Sequence, residues 1–140
     1  KQNVTMKLCG KPCTVYADRQ LMEELLYNLC DNAIRYNNRG GSVTVTVDEK
    51  DGHVFLSIRD TGIGIPTEHQ DRVFERFYRV DKSRSKATGG TGLGLAIVKH
   101  IVAQHGASIS LESQAGKGTE IRVEFSDVLK RQMEERAENA

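Results

Sequence analysis

Hydrophobic and polar positions alternate with a period of two over His53–Arg59, where Val54, Leu56 and Ile58 interleave with Phe55, Ser57 and Arg59. That alternation predicts a half-buried strand. Ser42–Glu49 reads as its hairpin partner across Lys50-Asp51-Gly52. Two further strands, Asn3–Cys9 and Cys13–Ala17, are predicted around Gly10-Lys11-Pro12, and a last pair, Ser108–Glu112 and Gly118–Phe125, turns at Gln114–Lys117. The period changes between Asp18 and about Asn37. Leu21, Met22, Leu25, Leu26, Leu29, Cys30, Ala33 and Ile34 recur two per turn, with Asp18 as N-cap. Thr67–Phe74 predicts a short helix. A third helix opens at Gly90–Gly94, carries Ile97, Val98, Ile101 and Val102, and ends at His105 with Gly106 as C-cap. Asp127–Asn139 reads as a charged helical tail. The order ββ-α-ββ-α-loop-α-ββ-α predicts a two-layer α/β sandwich, a mixed sheet with helices on one face. Residues 1–126 are one domain and 127–140 its tail.

Composition narrows the class. The 140 residues suit one domain, with 28% charged and 38% hydrophobic residues. A net charge of +1 implies no strong pull toward nucleic acid or a membrane surface. No apolar run approaches the roughly 20 residues of a membrane span. The first residue is not Met, so a piece of a longer protein is expected. Cys9, Cys13 and Cys30 read as buried free thiols in a reducing compartment, and Cys9-x-x-x-Cys13 lacks the second ligand pair of a zinc site.

Three stretches carry chemistry. In Asp60-Thr61-Gly62-Ile63-Gly64-Ile65-Pro66 a carboxylate ends a strand and two glycines follow. Asp60 can accept from an exocyclic amine such as that of adenine, while Gly62 and Gly64 leave room for a flat ring. A tight turn with a capping Asp is the other reading of this stretch alone. On the long helix Glu24, Asn28, Asn32 and Arg35 fall within about 80° of one another. Asn is a poor helix former, which favours use over a solvated face. Gly90-Thr91-Gly92-Leu93-Gly94-Leu95 opens a helix, so its free N–H groups can converge on phosphate oxygens. A dinucleotide fingerprint needs a strand before the glycines, and Ser83–Thr88 is polar and basic; a Walker loop needs a following Lys-Ser/Thr. Asp81–Gly90 has the length of an active-site lid, with a linker as the alternative.

Together these stretches resemble the catalytic ATP-binding domain of bacterial sensor histidine kinases, in the superfamily of gyrase, Hsp90 and MutL ATPases. Asn28–Tyr36 resembles its N box, Asp60–Pro66 its first glycine box, Phe74–Phe77 its F box, Gly90–Gly94 its second glycine box and Gly116–Thr119 its third. The likeness spans about Val4 to Phe125. It implies the Bergerat ATP-binding fold, with ATP and Mg²⁺ bound. By resemblance, Asn32 holds the metal and Asn28 supports it or its waters. Arg35 stands where the family often has Lys, and Tyr36 lies along the nucleotide. Asp60 reads the adenine amine, completed by Gly64 and Thr119, with Gly62 and Ile65 beside them. Arg79 approaches the γ-phosphate next to Tyr78. Gly90, Thr91, Gly92, Leu93, Gly94 and Leu95 surround the phosphates under the Asp81–Gly90 lid. Asn28, Asn32, Arg35 and Arg79 are the implied catalytic set.

The family phosphorylates a His on a separate dimerisation domain, in a His-Glu/Asp context followed by a Pro-containing stretch. None of His53, His69, His100 and His105 has that setting, so each reads as a surface or structural His. The resemblance therefore implies two partners, the protein's own dimerisation domain and a response regulator, and no nucleic acid. It also implies a monomeric isolated domain, a homodimeric full protein, and a cytoplasmic location within a membrane-anchored sensor. Two other classes stay open. A nucleotide-hydrolysing relative places a Glu one turn before Asn32, where Asn28 stands. An ATP-binding regulator of the anti-sigma type typically lacks the long aromatic run Phe74–Val80.

Overall fold

Asp51 and Gly52 both take positive φ, 54° and 78°, the two-residue turn whose twist matches antiparallel strands. They join β2 (Ser42–Lys50) to β3 (His53–Asp60) in a ladder running from Lys50↔His53 to Val43↔Asp60. The computed structural model describes residues 4–13, 15, 17–75 and 94–126. Three more strands complete one sheet: β1 (Thr5–Gly10), β4 (Ser108–Gln114) and β5 (Gly118–Ser126), in the order β1-β2-β3-β5-β4. Only the β1–β2 pair is parallel among the described strands, so the sheet is mixed.

One face of this sheet is apolar. Val43 and Val45 of β2, Leu56 and Ile58 of β3, and Ile121, Val123 and Phe125 of β5 are buried there. Two helices cover it. α1 (Arg19–Arg35) buries Leu25, Leu29 and Ala33, and α3 (Gly94–Gln104) buries Val98, Ile101 and Val102. These side chains form one core cluster. Between β3 and α3 in sequence lies α2 (Thr67–Gln70), packed near β4. The two-layer α/β sandwich with helices on one face is the observed architecture.

The helix ends are chemically closed. Asp18 Oδ1 accepts the Leu21 N–H at 3.0 Å, satisfying a first-turn donor of α1. At the end of α3, Gly106 adopts φ 62°, the Ala107 N–H bonds Val102 O and the Gly106 N–H bonds Ala103 O, a Schellman closure. His105 joins the two helices. Its Nδ1 lies 2.8 Å from Ile101 O, and a carbonyl only accepts, so Nδ1 carries the proton. Nε2 then accepts the Asp18 N–H at 3.1 Å. His105 is thus a structural histidine.

The structure corrects several expectations. Residues before α1 form no hairpin: β1 pairs in parallel with β2, and no strand covers 13, 15 or 17 among the described residues. The connection from β1 to β2 runs through α1, which makes the two strands parallel. Gly10 is the tight end of that ladder: a Cβ there would meet Val47 O, and the Lys11 N–H bonds the same oxygen. β1 lies at the sheet edge with Leu8 81% exposed, so Cys9 is exposed too, against the expectation of burial. Cys30 is half-buried, and desolvation pushes its thiol pKa up. The short helix stops at Gln70; 71–75 continue as turns with Arg72 N–H to His69 O and Glu75 N–H to Arg72 O. The lid 81–90, the tail 127–139, and the stretches 76–80 and 90–93 lie outside the described residues.

The His105 bridge generates a prediction. His105→Phe removes two hydrogen bonds and should cost about 1–2 kcal/mol of stability. Asp18→Ala should cost about 1 kcal/mol through the lost cap. Because fraying of the first turn of α1 already loosens the Asp18 N–H, the double variant should lose less than the sum. Urea unfolding of the four proteins measures this; strict additivity would show that the two helix ends are not linked.

Candidate functional site

Four neighbouring strands meet in rows across the inner face of the sheet. One row is Val45–Ile58–Ile121–Leu111 and is apolar throughout. The last row is Val43–Asp60–Thr119–Ser113, in which three of four residues are polar. Cα partners in antiparallel strands project to one face, so Asp60, Thr119 and Ser113 stand side by side at the end of the core. Asp60 and Thr119 are each only 8% exposed.

The Asp60 carboxylate is held by one oxygen. Oδ1 accepts the Gly62 N–H at 2.9 Å and the Thr119 N–H at 3.2 Å. Oδ2 takes no hydrogen bond from any described residue. Burial raises the Asp60 pKa, and the two backbone donors pull against that rise. Oδ2 keeps contact with solvent and is therefore open to a donor from a ligand.

The loop after Asp60 is tied at both sides. The Ile63 N–H bonds Tyr36 O at the end of α1, and Ile63 O accepts the Gly116 N–H from the β4–β5 turn at 2.7 Å. The Ile65 N–H bonds Ser113 Oγ, and Gln70 Nε2 bonds both Ile65 O and Ser113 O. Beneath the loop lies Asn37, wholly buried, with Nδ2 donating to Ser42 O and Oδ1 accepting the Asn38 N–H. Thr61 Oγ1 accepts the Ser42 N–H, and the Thr61 N–H bonds Ser42 O. These contacts explain the glycines differently from the open space for a ring read in the sequence. A Cβ on Gly62 would meet Tyr36 O, and one on Gly64, at φ 71°, would meet Gln114 O. The protein's own backbone already requires both glycines.

Of the helix residues, Asn28 and Asn32 are half-buried on α1. Asn28 Nδ2 donates to Glu24 O at 2.8 Å, which leaves its oxygen, and that oxygen lies 3.4 Å from where a Gly94 Cβ would stand. The start of α3 therefore sits beside the middle of α1. Asn32's amide makes no hydrogen bond to a described residue. Arg35 donates through Nε to Asp31 Oδ2 at 2.7 Å, a contact that pushes the guanidinium pKa up. Tyr36 caps α1 and is half-buried; Ile65 and Leu95 are half-buried as well. Among the described site residues, the structure therefore brings Asp60, Gly62, Gly64, Ile65 and Thr119 to one end of the sheet. Asn28, Asn32, Arg35 and Tyr36 lie along α1, and Tyr36 meets the loop through Ile63. Tyr78, Arg79, Gly90, Thr91, Gly92 and Leu93 lie outside the described residues.

Sequence reasoning missed Asn37, Thr61, Gln70 and Ser113. Ser113 left a signal: Ile109, Leu111 and Ser113 share one period-two phase, so a polar residue occupies an inner-face position. Asn37 left none, because its burial follows from β2 and the loop closing over it.

Burial of Asp60 sets its pH behaviour. A raised carboxyl pKa favours folding most below the unfolded pKa, and that contribution is lost as pH rises through the folded pKa. At pH 7 the charged group therefore weakens the unliganded fold. Asp60→Asn keeps an oxygen for the Gly62 and Thr119 donors and removes the charge. The unliganded variant should unfold at the same or a higher temperature than wild type at pH 7, and the difference should shrink toward pH 4. Calorimetric scans across that range check it; a large destabilisation at pH 7 would contradict it.

The comparisons place the chain in a family. Residues 17–128 match the family model described as histidine kinase-, DNA gyrase B-, and HSP90-like ATPase. The sensor histidine kinase YkoH of Bacillus subtilis is 46% identical over 127 residues, which are 91% of this chain and 28% of that protein. The sensor-like histidine kinase SenX3 of Mycolicibacterium smegmatis is 50% identical over 105 residues, 75% of this chain and 27% of that protein. The chain thus spans less than a third of the curated relatives it matches. Among solved structures, the mycobacterial sensor histidine kinase MprB is similar with a TM-score of 0.76 at 33% identity, over 88% of this chain and 81% of that one. Full-length ShkA in complex with AMPPNP is similar with a TM-score of 0.74 at 31% identity, over 89% of this chain and 26% of that one. With a matched sheet, helix layer and family model, this chain belongs to the histidine kinase-, DNA gyrase B- and HSP90-like ATPase family, and the relatives it matches are sensor histidine kinases.

Proposed function

We propose that ATP lies with its adenine against Asp60 and Thr119 and its phosphates toward Asn28, Asn32 and the start of α3, and that the γ-phosphoryl passes to a histidine on a separate dimerisation domain. The observation that carries this reading is Asp60: a buried carboxylate with Oδ1 saturated and Oδ2 unspent at the end of the sheet. An exocyclic amine supplies the missing donor. The complex of the similar ShkA with AMPPNP supports a nucleotide in this family's site.

Magnesium suits the donor chemistry of α1. The ion prefers oxygen ligands and keeps several waters beside one or two protein groups and phosphates. Asn32 offers an amide oxygen with no competing described partner. Asn28 has spent its nitrogen on Glu24 O, so it also presents oxygen. Bound Mg²⁺ supplies charge neutralisation at the phosphates. Arg35, oriented by Asp31, adds fixed positive charge near the same helix end. Phosphoryl transfer draws mainly on such positioning and electrostatics. Tyr78, Arg79, the Asp81–Gly90 lid and the Gly90–Gly94 box are assigned to the phosphates by resemblance to the family's motifs. The acceptor domain and a response regulator are the partners. The full protein acts as a homodimer with this domain on the cytoplasmic side of a membrane-anchored sensor.

Titration calorimetry tests the site. Asp60→Asn should lower ADP affinity by at least about a hundredfold, since an amide cannot replace a charged acceptor at the amine. Asn32→Ala should keep nucleotide binding but lose the Mg²⁺-dependent part of ATP affinity. Near-normal ADP binding by the Asp60 variant, or a full Mg²⁺ response in the Asn32 variant, would remove those roles.

Incubation with γ-labelled ATP tests the reaction. The domain alone should release little phosphate, because Asn28 occupies the position a hydrolytic Glu would need and an amide is no base. Adding the protein's own dimerisation domain should produce acid-labile, base-stable label on that domain. Rapid phosphate release by the domain alone would point to a nucleotide-hydrolysing enzyme instead.

A further inference from the structure

We infer that Ser113 sharpens base specificity, by holding the Thr119 hydroxyl proton so that Thr119 joins Asp60 in meeting a base as an acceptor only. The inference deepens the proposed adenine site and rests on it. It follows from counting protons. Ser113 Oγ has one proton and two lone pairs. It lies 2.9 Å from Gly118 O, and a carbonyl cannot donate, so the serine proton goes there. The Ile65 N–H occupies one lone pair at 2.7 Å. Thr119 Oγ1 stands 2.8 Å away, and with the serine proton spent, Thr119 must be the donor to the second lone pair. Ser113 is then full: two bonds accepted and one donated.

Thr119 is left with lone pairs and no proton to offer. Beside it on the next strand, its Cα partner Asp60 has an unspent carboxylate oxygen. Two acceptors therefore face the same end of the site. A 6-aminopurine brings two N–H groups to such a pair. A 6-oxopurine brings lone pairs at that position, and acceptor would oppose acceptor. Were the Thr119 hydroxyl able to rotate, it could donate to a 6-oxo group and the discrimination would fall. Ser113 touches no base in this arrangement; it is a positioning residue acting through Thr119.

The test compares ADP with IDP, which differ at the 6-position and its adjoining ring nitrogen and carry no 2-amino group. The wild-type domain should prefer ADP by about a hundredfold or more. Ser113→Ala should shrink that preference by about tenfold, with IDP weakened less than ADP or strengthened. In a Thr119→Val background there is no hydroxyl to aim, so adding Ser113→Ala should leave the ADP-to-IDP ratio unchanged. A purely structural role, through the lost Ile65 contact, would weaken both nucleotides equally and leave the wild-type ratio intact; that result overturns the inference while the adenine site stands. If wild type binds neither nucleotide, the proposed site and this inference fall together. Ser113→Cys, which fills the same space with a weak donor and acceptor, replaces the alanine variant if that protein does not fold, and should shrink the preference in the same direction.

Discussion

The burial of one carboxylate organises the functional end of this domain. Asp60 closes β3 at the edge of an apolar core, where desolvation penalises its charge. The backbone answers with two donors at Oδ1, from Gly62 and Thr119. Those donors fix where the 61–65 loop leaves the strand and how β5 begins. Every other local feature serves that placement. Tyr36 O and the Gly116 N–H hold Ile63 from either side, and Asn37 fills the space beneath with its polar groups satisfied. Gly62 and Gly64 are required because neighbouring backbone is already in contact.

Burial of the Asp60 charge weighs against the unliganded fold, while Oδ2 stays open to solvent at the end of the sheet. The core carries the burden: Leu25 and Leu29 of α1, Val98 and Ile101 of α3, and the valines and isoleucines of β2, β3 and β5 form one cluster under the same row. The two helices are also linked at the opposite end, where His105 of the α3 terminus accepts the Asp18 N–H. The middle of α1 and the start of α3 thus belong to one packed layer, and the position of Asn28 next to Gly94 follows from it.

Periodicity and turn chemistry were enough to read the long helix, the β2–β3 hairpin and the last strand pair. The Asp-Gly hairpin, the alternation of β3 and the paired apolar positions of α1 are local signals, each decided within a few residues. The motif residues Asn28, Asn32 and Asp60 were legible for a similar reason, since polar residues at poor-propensity or strand-end positions stand out against the pattern. The parallel placement of β1 was not legible. A Gly-Lys-Pro turn looks like a hairpin until the Val47 carbonyl is seen against Gly10, a contact 37 positions along the chain.

By itself the sequence determined the long helix, the β2–β3 hairpin, the last strand pair and the family to which the motifs belong, because these depend on residue type and spacing. Only the tertiary structure decided which groups are spent. That Asp60 uses one oxygen and keeps the other, that the Thr119 and Ser113 hydroxyls meet, and that Asn37 is wholly buried depend on strands and loops brought together from Asn37 to Thr119. Hydrogen-bond saturation is a property of neighbours in space. No pattern along one segment reports it, which is why Ser113, one residue past the predicted strand Ser108–Glu112, drew no reading and stands in the structure at the centre of a hydrogen-bond cluster.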